Sequence, residues 1–80
     1  MPDNSNSAYE TKDLGEAAAL ITENIALVHI RRDGHVCWFV FSDNVQRIKL
    51  TKSYYFGDLP VNARAYNESL SRLKNMIFNS

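Results

Sequence analysis

The sequence predicts an α+β fold, in which a small antiparallel hairpin or three-stranded sheet packs against two to three helices. Two β-rich segments flank an Asp33-Gly34 dipeptide, which favours a tight hairpin turn, and apolar residues at helical spacing lie on both sides of them. A chain of 80 residues suffices for one domain. Nine basic and nine acidic residues give zero formal charge, so no overall field draws the chain toward nucleic acid or anionic lipid.

The N-terminal part predicts a disordered tail over residues 1–8, because its residues are polar and small, and a single α+β domain over residues 9–80. A short edge strand is expected from Tyr9 to Lys12. Asp13 and Glu16 then form a D-x-x-E variant of the helix capping box. A first helix of about 14–24 follows, with one apolar side formed by Leu14, Ala17, Ala18 and Ile21.

The hairpin is predicted from Ala26 to Phe41, with Asp33 and Gly34 as its two loop residues. In that register Arg32 faces His35, and cross-strand partners share a face of the sheet. One face is wholly apolar and is predicted to be the core side: Ala26, Val28, Ile30, Cys37, Phe39 and Phe41. The other face is mixed, and we call it the Trp38 face: Leu27, His29, Arg31, Val36, Trp38 and Val40.

Two further helices are predicted after the hairpin. Asp43 and Gln46 suggest a second capping box before a helix of about 44–56, which Gly57 closes. The apolar positions of this helix, among them Val45 and Ile48, are irregularly spaced. Asn62 caps a third helix that runs to about Phe78, with a regular apolar stripe formed by Ala63, Tyr66, Leu70, Leu73 and Ile77.

Catalysis, a metal site and a cofactor are not predicted. The only histidines, His29 and His35, lie near Cys37 and Asp33, but His29 and Cys37 fall on opposite faces of the hairpin, so no three ligands converge. Cys37 lies in an apolar strand, which makes it a poor nucleophile. The carboxylates are scattered over helix starts, turns and exposed helix positions, where capping explains several of them.

The Trp38 face leads to the main functional hypothesis, because tryptophan and arginine are enriched at the energetic centres of protein interfaces. We expect a protein-binding adaptor or regulator, or a homodimer that meets at this face. The alternative is that the N-terminal segment, a helix or a loop covers the face within the monomer. A second hypothesis is a nucleic-acid-binding accessory domain that uses Arg31, Arg32, Arg47, Lys49 and Lys52, the last three at exposed positions of the second helix.

The start of the sequence lacks the basic and apolar regions of a signal peptide, and no stretch approaches the ~18 apolar residues of a membrane span. The expected location is therefore the cytoplasm, without membrane partners.

Several segments together resemble a known group of proteins. They are Tyr9-Glu-Thr-Lys-Asp-Leu14 with Ala17-Ala18, Trp38-Phe-Val-Phe41, Tyr54-Tyr55, and Val61-Asn-Ala-Arg64 through Leu73-Lys74 to Ile77-Phe78. The chain resembles an uncharacterised domain-of-unknown-function family of short bacterial, archaeal and phage proteins. The resemblance implies a compact α+β domain and a prokaryotic or viral source, and it supplies no activity or site residues.

Overall fold

The computed structural model describes residues 8–78 and confirms the α+β class. The elements are β1 (Ala8–Thr11), α1 (Leu14–Thr22), β2 (Leu27–Asp33), β3 (Val36–Ser42), α2 (Val45–Phe56) and α3 (Ala63–Phe78). The strands form one antiparallel sheet in the order β1-β3-β2, so the predicted edge strand is present. Of the predicted tail, residues 1–7 lie outside the described residues, and Ala8 already belongs to β1.

The core lies between one face of the sheet and the helices α1 and α3. Phe39 and Phe41 of β3 contribute the large buried side chains from the sheet. Small residues of α1 allow the helix backbone to approach these rings closely, and Leu73 of α3 completes the cluster. The fully buried core members from the helices are Ala17, Ala18, Leu20 and Leu73.

The hairpin register differs from the predicted one by two residues. Asp33 pairs with Val36 and Arg31 with Trp38, so the loop consists of Gly34 and His35. Gly34 has a φ of 62°, and a positive φ at the first loop residue alone is the sign pattern of a type II′ turn. Asp33 is therefore the last residue of β2 and not part of the loop. A shift of two residues leaves every side chain on its predicted face, apart from those at the start of β2.

A β-bulge at the start of β2 is the second difference. The register shifts between Leu27 and His29, which leaves Val28 as an extra residue. Leu27, predicted for the Trp38 face, consequently packs against the core. Val28, predicted for the core face, is 58% exposed.

The helix ends follow local hydrogen bonding. Asp13 caps α1 as predicted, but α1 ends at Thr22, because Asn24 takes a left-handed conformation with a φ of 69°. Asn44 caps α2 in place of Asp43, since its side-chain oxygen accepts the N–H of Arg47 at 2.7 Å. The ends predicted at Gly57 for α2 and Asn62 for α3 are confirmed, the latter by a bond from the N–H of Ala65. No helix within residues 8–78 is long and apolar enough to cross a membrane.

Candidate functional site: the Trp38 face and the Glu16 cluster

The Trp38 face is built by all three strands, and β1 contributes residues that the hairpin alone does not reveal. Glu10 lies opposite Val40, and Val40 lies opposite His29, so these three side chains form one row across the sheet. In the next row, Trp38 lies opposite Arg31, with Lys12 above the Trp38 ring from the β1 side.

An ion pair crosses the middle strand on this face. Arg31 of β2 donates to Glu10 of β1 through Nε at 3.2 Å and through a terminal nitrogen at 2.8 Å. This hydrogen bond lowers the pKa of Glu10 and raises that of Arg31. Since β3 lies between β1 and β2, the pair stands over β3, and Val40 is only 3% exposed. Val40, predicted as a contact residue, is thus covered by its own neighbours.

Trp38 lies between two cations and is partly buried. The Nζ of Lys12 is 5.9 Å and the Cζ of Arg31 is 5.5 Å from the ring centroid, distances at which a cation is attracted to an indole ring. Two carboxylates, Glu10 and Asp33, balance these two cations on the same face. The centre of the Trp38 face is therefore aromatic, and its surround has no net charge.

The helices lie on the other side of the sheet. α1 and α3 pack against the face that carries Phe39 and Phe41, and α2 packs against α1. Within residues 8–78, no helix covers Trp38. His29 and Val36 are exposed on the Trp38 face.

The basic residues of the nucleic-acid hypothesis are dispersed over the molecule. Arg32 points to the opposite side of the hairpin from Arg31, where it donates to the sulfur of Cys37 and to the carbonyl of Ile77. Arg47, expected at an exposed helix position, is buried, whereas Lys49 and Lys52 are exposed on α2. These cations do not form one continuous surface.

A buried carboxylate is the feature that sequence reasoning missed. Glu16 is 0% exposed and accepts hydrogen bonds from four hydroxyl groups. Its Oε1 accepts from Thr11 at 2.7 Å and from Tyr55 at 2.9 Å, and its Oε2 accepts from Tyr9 at 2.6 Å and from Thr51 at 2.8 Å. We call these five residues the Glu16 cluster. It joins β1, α1 and α2 through polar contacts.

Arg47 extends the cluster at its edge. Its guanidinium lies 3.7 Å from the centroid of the Tyr9 ring and donates to Asp43 at 2.9 Å and to Thr51 at 3.0 Å. Burial and the hydrogen bond to Glu16 raise the pKa of Tyr9, and the same two causes raise that of Tyr55. Four hydroxyl groups donate to the enclosed Glu16 carboxylate, two to each oxygen. The Glu16 cluster therefore acts as a structural clamp between β1, α1 and α2, and it leaves Glu16 no access to a substrate.

The capping-box interpretation concealed this role. Asp13 does accept the N–H of Glu16, but its own N–H donates to Thr11 rather than to the Glu16 carboxylate. The available signal was the run Ala17-Ala18-Ala19-Leu20, which is apolar around most of the helix and so indicates a helix enclosed on several sides. A carboxylate at the start of such a helix requires buried donors.

Among residues 8–78, no three His, Cys, Asp or Glu side chains converge on a position that suits a metal ion. No protein-family model, curated protein or solved structure matches this chain. The resemblance to a family of unknown function stays an expectation.

Proposed function

We propose that this domain binds another protein through its Trp38 face and acts as an adaptor or regulator rather than as an enzyme. The observation that carries the proposal is the position of Trp38, on a sheet face that no helix within residues 8–78 covers, between Lys12 and Arg31. An aromatic centre with arginine beside it and a charged surround is the composition of protein-binding hot spots.

The charge balance favours a protein over a nucleic acid. Glu10 holds the guanidinium of Arg31, and Asp33 lies on the same face, so a phosphate backbone would meet two carboxylates as well as two cations. The stacking of a base on Trp38 between Lys12 and Arg31 is the one arrangement that supports the nucleic-acid alternative. Binding of a nucleic acid to this face would weaken steeply with added salt.

The size of the face sets the expected strength of binding. The strands lie about 4.8 Å apart; β2 and β3 have seven residues each and β1 has four, so at about 3.3 Å per residue the flat footprint is roughly 290 Å². A stable protein interface buries about 800 Å² on each partner. The Trp38 face by itself therefore favours a transient complex.

The test is site-specific photo-crosslinking in cells of the source organism. A photoreactive amino acid replaces Val36, which is exposed on the Trp38 face, and in a control variant it replaces Lys74, which is exposed on α3. We expect a protein adduct from position 36 that is absent from position 74. Trp38→Ala should remove the adduct, whereas Phe78→Ala, at an exposed aromatic residue of α3, should leave it.

The mass of the adduct distinguishes a different protein from a second copy of the chain. An adduct that survives Trp38→Ala, or equal adducts at both positions, would contradict the proposal. Circular dichroism of the Trp38→Ala variant shows whether the fold is kept, which we expect because the core lies on the other side of the sheet.

A further inference from the structure

Helix α2 faces the protein interior mainly with polar groups, beside the one apolar residue Leu50 that packs against the core, and it leaves other apolar residues exposed. Arg47, Thr51 and Tyr54 point inward, where they bond to Asp43, Glu16 and Asp13 respectively. Apolar side chains point outward instead: Val45 is 67% exposed, Ile48 40%, Tyr55 59% and Phe56 81%. We call these four residues the α2 stripe. A helix normally turns such residues toward the core, so this exposed apolar stripe has the character of a binding surface.

The α2 stripe is continuous, and one of its members, Tyr55, is anchored. At 100° per residue, its four members lie within about a third of the helix circumference, with Lys52 among them and Lys49 at one edge. The hydroxyl of Tyr55 donates to the buried Glu16, so the ring is anchored while its outer face stays exposed. A surface that is ordered before binding loses less conformational entropy when a partner arrives.

The exposed charges on α2 itself have one sign. The helix carries no Asp or Glu, and Lys49 and Lys52 are both exposed. The nearest preceding carboxylate, Asp43, is bound to Arg47. An occupant must therefore offer apolar side chains together with carboxylates.

We propose that α2 is a second docking surface, which binds an acidic amphipathic helix of a partner protein. Four apolar side chains over three helical turns suit the apolar side of another helix, as in helix-in-groove recognition. Glutamate or aspartate beside that apolar side would meet Lys49 and Lys52. This surface lies on a different element from the Trp38 face.

Other occupants fit less well. In a symmetric antiparallel pair of α2 helices centred on the stripe, Lys49 of one copy faces Lys52 of the other, and a parallel pair brings the two Lys52 side chains together. Insertion of the α2 stripe into a lipid bilayer would carry the charged side chain of Lys52, which lies among the four apolar residues, into the bilayer. The residues of the sequence outside 8–78 offer only Met1 and Pro2 as apolar side chains, too few to cover the stripe.

The experiment measures binding of three fluorescent 18-residue peptides by anisotropy. The first is an amphipathic helix with Leu on one side and Glu beside it, the second replaces Glu by Lys, and the third is a scrambled form of the first without an apolar side. We expect the first peptide to bind at least ~10-fold more tightly than the other two. Val45→Ser/Phe56→Ser should weaken that binding ~10-fold, and Lys52→Glu should shift the preference toward the Lys peptide.

Matched controls come from exposed residues elsewhere. Val28→Ser removes an exposed apolar side chain of β2, and Lys74→Glu reverses an exposed charge on α3, so both should leave binding unchanged. Absence of binding at millimolar peptide, equal binding of the scrambled peptide, or equal losses in the controls would overturn the proposal. Two further outcomes would also overturn it. One is binding to phosphatidylserine vesicles that the double variant Val45→Ser/Phe56→Ser abolishes, and the other is a dimer in light scattering that the same variant abolishes.

Discussion

Replacing Glu16 by alanine removes the single acceptor of four hydroxyl groups and tests the clamp between α1 and α2. Hydrogen bonds to a charged group contribute about 1.5–3 kcal/mol each, so four of them taken separately would give roughly 6–12 kcal/mol. That sum is close to the whole stability of an 80-residue domain, about 4–12 kcal/mol, so the bonds cannot be additive. The hydroxyls that lie near solvent regain water, whereas Thr11, which is 6% exposed, does not.

We therefore expect Glu16→Ala to lower the free energy of unfolding by about 3–5 kcal/mol, the cost of removing one partner from a buried charged network. The melting temperature should fall by on the order of 20 °C, since about 4–8 °C corresponds to each kcal/mol in a domain of this size. Glu16→Gln keeps the shape, and its amide can donate to two hydroxyls that then act as acceptors. Its cost should be nearer 1–2 kcal/mol.

The assay is urea unfolding followed by circular dichroism, with Glu68→Ala as the control. Glu68 is an exposed helical carboxylate, 3.7 Å from Arg64, whose removal should cost less than about 0.5 kcal/mol. If Glu16→Ala unfolds cooperatively and costs no more than Glu68→Ala, the Glu16 cluster does not hold α2 in place. Equal costs for Glu16→Gln and Glu16→Ala would instead show that the charge, rather than the acceptor geometry, carries the effect.

Three other predictions concern different parts of the chain. Gly15→Ala should destabilise the domain by about 1–3 kcal/mol in chemical denaturation, although alanine favours helices, because its Cβ would collide with the hydroxyl of Tyr54. In a Tyr54→Phe background the loss should shrink, and a loss of equal size would refute the collision. Burial raises the pKa values of Tyr9, Tyr54 and Tyr55, so their stabilising contribution is fully present below about pH 10 and is lost at higher pH. Absorbance at 295 nm should show these tyrosines ionising only as the circular dichroism signal of the fold is lost. Their ionisation near pH 10 in the folded state would contradict this. Gly34→Ala should cost about 1–2 kcal/mol by thermal denaturation because of its φ of 62°, and an unchanged melting temperature would show that the loop conformation is different.

Local signals in the sequence predicted most of the fold. The alternation of apolar residues in the hairpin assigned Phe39 and Phe41 to the core, and spacing assigned Leu70 and Leu73 to the inner side of α3. The register was wrong by two residues because Asp-Gly indicates where a turn lies but does not say whether Asp33 or Gly34 opens the loop. The bulge at Val28 has no local signal in the residues around it.

The candidate surfaces were harder to predict, because they depend on contacts between distant segments. Glu10 and Lys12 reach the Trp38 face only because β1 pairs with β3, and no turn links those two strands. Arg47 was interpreted as solvent-exposed charge because its burial depends on Tyr9, 38 positions earlier in the sequence. The irregular spacing in α2 did carry information: apart from Leu50, its inner side packs through hydroxyl groups and a guanidinium, so apolar residues do not recur there at helical spacing.

The bulge at Val28 has a consequence for how copies of this chain behave at high concentration. β2 is an edge strand of the sheet, and an edge with evenly spaced free backbone groups is a template for intermolecular strand addition and aggregation. The extra residue breaks that even spacing at one end of β2. A second β2 strand aligned on the first would meet mismatched hydrogen-bonding groups there. The same bulge that exchanged the predicted faces of Leu27 and Val28 thus disfavours strand addition along this edge of the sheet.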